Sequence, residues 1–200
     1  MNTRFAAAVA VCGGVAAITT AMLIGPVFSP EGFSWVTHST SEQAGQHMPR
    51  AWIMRAGFIF YGAGTIAAAL LDLKKRPYVR ASLVLFGLGL TATAIWSNAP
   101  IVPGLPTDLN EDWLHSIASG VVGFAFAAAC GSRLFAPGGN GRDGVSWIGL
   151  ALAILIPLAM NALPEARGLL QRIMFAYSFV FVLREFLPGR SGRDGGGGGH

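Results

Sequence analysis

Two arginines and a histidine stand where apolar sequence would otherwise run unbroken. Arg55 lies about one turn into the stretch Ala51–Leu73, Arg172 about one turn into Gly168–Leu187, and His115 opens His115–Phe135. An arginine at the centre of a membrane helix costs about 2.5–3.5 kcal/mol, and less near an end where it can snorkel, so each needs a physical reason to be there. Ser41 and Glu42 precede Arg55, Ser116 follows His115, and Asp108 and Asp112 come just before it. These residue types allow three kinds of site. Arg55 and Arg172 could hold the phosphate or carboxylate of a lipid or solute, with Glu42, Asp112 and His115 around it. His115 could act as base for a Ser41 or Ser116 nucleophile, oriented by a carboxylate such as Glu42. Or Arg55 and Arg172 pair with Glu42 and Asp112 and latch the loops onto the helices.

Metal and cofactor chemistry finds less support. His38, His47 and His115 have carboxylates nearby, but no helix carries the paired H-x-x-x-H or H-x-x-H of a zinc site. A membrane cytochrome needs axial histidines inside its bundle, and here no helix has one away from its end. Asp72 is the one acidic residue near a span interior, and Lys74 and Lys75 place it at a border rather than in a proton relay. No metal and no cofactor are expected.

The elements that must position these groups are six apolar stretches, approximately Phe5–Phe28, Ala51–Leu73, Ala81–Ser97, His115–Phe135, Ser146–Leu163 and Gly168–Leu187. A helix rises about 1.5 Å per residue, so about 20 apolar residues match a hydrocarbon core about 30 Å thick. Hydrocarbon satisfies no backbone polar group, which makes helices the expected form of each stretch. Only 12% of the 200 residues are charged, against roughly 25% in soluble domains. The spans leave no room for a separate soluble domain.

The net charge of +4 is an orientation signal. With Met1–Arg4 in the cytoplasm, Arg4, Lys74, Lys75, Arg76, Arg80, Arg133, Arg142, Arg184, Arg190 and Arg193 all fall inside, leaving Arg50, Arg55, Arg167 and Arg172 outside. This follows the positive-inside rule and puts both termini in the cytoplasm. Glu31, Glu42, Asp108, Glu111, Asp112 and Glu165 occupy the outer side. Nucleic-acid binding is not indicated. The first stretch, about 24 residues long, exceeds the 7–15 of a signal-peptide core and reads as a retained helix. Cys12 and Cys130 fall in spans near the cytoplasmic face and read as buried, reduced thiols.

Between the spans, the loop Ser29–Arg50 mixes Phe33, Trp35 and Val36 with hydroxyl residues, as an amphipathic piece lying over the bundle would. Pro100, Pro103 and Pro106 hold Asn98–Leu114 extended, before Asp108, Asn110 and Glu111 supply capping chemistry. Trp52, Trp96 and Trp113 form an outer aromatic belt, and Trp147 marks the inner border. Glycines are scattered through the first three spans, and Ser116, Ser119, Gly123, Ala127 and Cys130 make a small-residue stripe on the fourth that would let a helix approach closely. Pro157 should bend the fifth span. The inner loop Ala136–Val145 is glycine-rich, and the tail Gly189–His200 reads as disordered.

The polar positions form a recognisable pattern. Thr40-Ser41-Glu42-Gln43-Ala44-Gly45 follows a first helix ending at Pro26, Pro49-Arg50-Ala51-Trp52 opens the Gly57…Gly62 helix, and Asp112-Trp113-Leu114-His115 opens the fourth span. Over Val11–Leu187 the chain resembles the domain of unknown function 998 family, six-helix bacterial integral membrane proteins. In that family pattern Ser41, Glu42 and His115 are the recognisable polar positions, and the chain departs where Gln43 replaces a hydrophobic residue. The resemblance implies a fold and a bacterial membrane, and no established activity.

The expectation is therefore all-α: a single six-helix transmembrane domain over 1–188 with a disordered cytoplasmic tail over 189–200, both termini inside, in the cell (inner) membrane. Its expected partners are the lipid bilayer and a lipid or small anionic solute at an outward-facing polar site. The alternatives are an intramembrane hydrolase and a structural or assembly role.

Overall fold

The computed structural model describes residues 2–72 and 76–187. The glycine-rich tail 189–200, Lys74 and Lys75 lie outside the described residues. Seven α-helices make up the described chain, with no strand: α1 (Thr3–Ile24), α2 (Thr40–Gln43), α3 (Trp52–Asp72), α4 (Pro77–Ile95), α5 (Leu109–Phe135), α6 (Gly144–Ala162) and α7 (Arg167–Phe186). All except α2 are long and apolar enough to cross a bilayer. Large apolar side chains such as Val9, Leu23, Phe60, Leu88, Leu155 and Val180 stand on the outside of the bundle, as a lipid solvent allows.

The helices α1, α3, α4, α5, α6 and α7 pack in sequence around a ring that α7 closes against α1. Packing is tightest from α1 to α5 and thins toward α6 and α7. Glycine sets that gradient. A Cβ on Gly62 would lie 2.5 Å from the Gly87 carbonyl oxygen, and one on Gly87 would lie 2.5 Å from that of Gly62, so α3 and α4 touch backbone to backbone. Gly14 and Gly57 do the same between α1 and α3. The outer part of the stripe on α5, short of Cys130, behaves otherwise: Gly123 has no neighbour within 4 Å of an added Cβ, and Ser116 is exposed. No helix is drawn in there, and the space stays open.

An aromatic ladder fills the middle. Tyr61 meets Phe86 and Phe179 edge-on, Phe126 meets Phe181 edge-on, and Phe58 stacks on Phe175. The Tyr61 hydroxyl and the Ser178 hydroxyl are 3.0 Å apart, sharing a hydrogen bond between α3 and α7. Both cysteines are free, but Cys12 is exposed on α1 rather than buried; Cys130 is buried, its sulfur 2.7 Å from where a Cβ on Gly149 would lie. Pro157 sits inside α6 without ending it.

The bundle has two unlike ends. The base carries the starts of α1, α4 and α6 and the ends of α3, α5 and α7. The loop end carries segments 25–51 and 96–108. The fourth span starts earlier than its apolar run suggests, at Leu109, because Asp108 caps it by accepting from the N–H groups of Asn110 and Glu111. This lifts His115 from the first turn of the helix into its second.

Candidate functional site

The loop end is built around a strap, residues 29–51, folded down over the helices. Its helical turn α2 is fixed by a capping box: the Glu42 N–H donates to the Ser39 hydroxyl, and the Ser39 N–H donates to Glu42 Oε2 at 2.6 Å. Gln43 is buried and donates to the Ala21 carbonyl at 3.2 Å. Gly25 makes the room, since a Cβ there would overlap the Gln43 amide.

Both span arginines hold this strap, and they do so through backbone carbonyls. Arg55 donates to Ala44 at 2.9 Å and Gly45 at 3.1 Å. Arg172 donates from one nitrogen to the carbonyls of Trp35, His38 and Gly168 at 2.7, 2.8 and 3.0 Å, with its guanidinium 4.5 Å above the Trp35 ring. Gly168 permits the approach, because any Cβ would run into the His38 and Trp35 carbonyls. The Leu169 N–H completes the dock by donating to Val36. Gln46 joins the strap to the second loop: its amide donates to Ser97 and Asp108, and its oxygen accepts from the Asp108 N–H. Asp112 accepts from the Ala99 N–H at 2.6 Å.

Beneath the strap lies a cavity of about 670 Å³, a volume ordinary for a small-molecule site. Its upper wall is polar, with Ser41, Glu42, His115, Ser116, Arg167 and Gln171. Its depth is apolar, lined by Phe58, Phe86, Phe126, Ile156 and Phe175. Ser116, Gly120 and Phe124 on α5 and Pro157 and Asn161 on α6 line it while remaining exposed, so it opens sideways between those two helices. Of the sequence-derived candidates, Ser41, Glu42, His115 and Ser116 come together on this wall. Arg55, Arg172 and Asp112 stand behind it, holding loops.

His115 is buried, and its Nδ1 lies 2.7 Å from the Trp96 carbonyl, which can only accept, so Nδ1 carries the proton. Its Nε2 has no partner among the described residues. Arg167 and Gln171, which sequence reasoning passed over, are the other polar members. Gln171 Oε1 accepts from the Thr40 N–H and hydroxyl, both at 2.7 Å. Arg167 stands 3.4 Å from Glu42 Oε1, its side chain 43% exposed. The short connection Pro164–Ala166 turns the chain so that Arg167 begins α7 at the cavity mouth. Among the described residues, no three histidine, cysteine or acidic side chains are grouped to hold a metal.

The base is closed. Arg184 reaches Asp143 at 2.5 Å, Arg133 stands 3.6 Å from Asp143 and 3.0 Å from Glu185, and Arg76 reaches Glu185 at 2.9 Å. Ser146 adds a hydrogen bond to Asp143 at 2.8 Å. Burial pushes the Asp143 carboxyl up, but hydrogen bonds from Arg184 and Ser146, with the charges of Arg184 and Arg133, outweigh it and hold it below the ordinary carboxylate value. Arg4 adds a contact to Asp72 at 3.4 Å.

Six bilayer-length helices around a half-polar, side-opening cavity define a multi-pass membrane protein. The chain belongs to the DUF998 family, described as proteins of unknown function, whose family model matches residues 6–183. No curated protein and no solved structure matches it.

Proposed function

We propose that the protein binds a membrane amphiphile, headgroup under the strap and chain toward the aromatic ladder. One observation carries this reading: the cavity is polar at its top, apolar at its floor and open between α5 and α6, so a lipid could slide in from the bilayer without crossing water. The loop end faces outward in this proposal, because the basic residues flank the other end of the helices. Gly123→Phe tests it. Space is open at Gly123, so the ring enters the cavity without disturbing helix packing. Lipid co-purifying with the protein, weighed by native mass spectrometry, should fall, while Gly13→Phe on the open face of α1 should change nothing. Equal lipid retention by both variants would remove the reading.

A second reading is hydrolysis of a lipid ester. Its support is the convergence of His115, Ser41, Ser116 and Glu42 on one wall, with His115 Nδ1 engaged by Trp96 and Nε2 without a bonding partner among the described residues. Turnover of an ester lipid that His115→Ala abolishes would place this reading first.

A further inference from the structure

We infer that the cavity mouth selects a zwitterionic phospholipid headgroup, with Arg167 holding the phosphate and Glu42 the ammonium. This rests on the amphiphile reading above and names the class of ligand. The mouth carries one cation and one anion, each with spare bonding capacity. Glu42 is fixed in place, since Oε2 accepts from the Ser39 N–H at 2.6 Å inside the capping box, while among the described residues Oε1 meets only Arg167. Among the described residues Arg167 donates only to that oxygen, at 3.4 Å, well beyond the 2.7–2.9 Å of a good charge-assisted hydrogen bond. So loose a pair, with the arginine side chain 43% exposed, can part to admit a group carrying both charges.

Of the other arginines at this end, Arg55 and Arg172 hold strap carbonyls, and neither they nor Arg50 line the cavity. A purely anionic headgroup would therefore meet Arg167 together with the immobile Glu42 carboxylate. A headgroup bearing phosphate and ammonium a few bonds apart would satisfy both. Ser41, Ser116 and Asn161 supply neutral partners for the remaining oxygens at the same rim. A planar guanidinium suits a phosphate fork, and a primary ammonium offers three donors to a carboxylate and its neighbours.

The test uses the purified full chain in a non-ionic detergent, titrated with phosphatidylethanolamine or phosphatidylglycerol of identical acyl chains and read by native mass spectrometry. Phosphatidylethanolamine should bind about tenfold more tightly, as one additional favourable charge contact would give. Arg167→Gln and Glu42→Gln should each erase that preference while leaving acyl-dependent binding in place, and Arg167→Lys should keep part of it. Gln at position 42 still completes the capping box, so that variant retains the strap fold. Phosphorylethanolamine alone should compete weakly. Equal binding of the two lipids, or a preference that survives both Gln variants, would overturn the headgroup assignment. Competition by phosphorylethanolamine as strong as by the lipid would overturn the lipid as its source. Absence of any lipid binding by the unaltered chain would overturn the amphiphile reading itself.

Discussion

The base and the loop end use the same residue types to opposite effect. At the base, Arg76, Arg133, Asp143, Arg184 and Glu185 pair with one another across α4, α5, α6 and α7, and the two acids are nearly wholly buried. At the loop end Arg55 and Arg172 are spent on backbone carbonyls, and the one acid–base pair among the described residues, Arg167 with Glu42, is long and half open. Charges matched to charges lock helices together. Charges matched to carbonyls hold a loop in place and leave the side chains beneath it free to meet a ligand.

The largest test of this contrast is Asp143→Ala. It leaves Arg133 and Arg184 without their shared partner and should cost about 3–5 kcal/mol, seen as a lowered unfolding temperature in detergent. Arg167→Gln should cost less than about 1 kcal/mol, since it breaks only a long pair whose arginine is 43% exposed. Equal losses would erase the distinction between the ends.

Arg172→Leu comes next. Removing hydrogen bonds from a charged donor costs about 1.5–3 kcal/mol, and limited proteolysis should then cut within residues 29–51 before any helix is lost. A strap as resistant as before would mean that the Leu169 and Gln46 bonds suffice.

Acid sharpens the comparison at the base. The Asp143 carboxyl titrates below its unfolded value of about 3.9, so its contribution is complete above that value and fades as the pH falls through the lower folded one. The stability gap between the unaltered chain and Asp143→Asn should hold at neutral pH and close only in strong acid. A gap that closes near pH 6 would assign the stabilisation to another group.

The remaining effects concern packing. Gly62→Ala should destabilise by about 1–3 kcal/mol, because its Cβ meets the backbone of α4. Gly123→Ala should stabilise by about 0.5–1 kcal/mol, because a helix gains from the added methyl and nothing opposes it. Opposite signs in thermal unfolding would verify that the α5 stripe borders open space.

Much of the scaffold could be read from the chain. Each apolar run became a helix within a few residues of its expected limits, with α5 the exception, where the polar turn from Asp108 extends it beyond its apolar part. Arg55 and Arg172 were legible as needing partners. Their partners were not, because a carbonyl of Ala44 or Trp35 is the same acceptor in any residue and leaves no mark on composition. Arg167 was legible only as one more basic residue, since its place at the cavity mouth depends on how Pro164–Ala166 turns the chain into α7. Likewise Arg133 and Arg184 count toward orientation in a linear reading, and nothing in their spacing reveals that they converge on Asp143.

Sequence alone determined that this chain lives in a bilayer as six helices, because the solvent forces about 20 apolar residues and an internally bonded backbone on every span. Tertiary structure decided which polar groups are consumed and which stay available. That choice turns on distances of a few tenths of an ångström between residues more than a hundred positions apart, such as Arg172 with Trp35 and Arg167 with Glu42. Hydrophobicity fixes where a helix runs; only packing brings those distant side chains within bonding range.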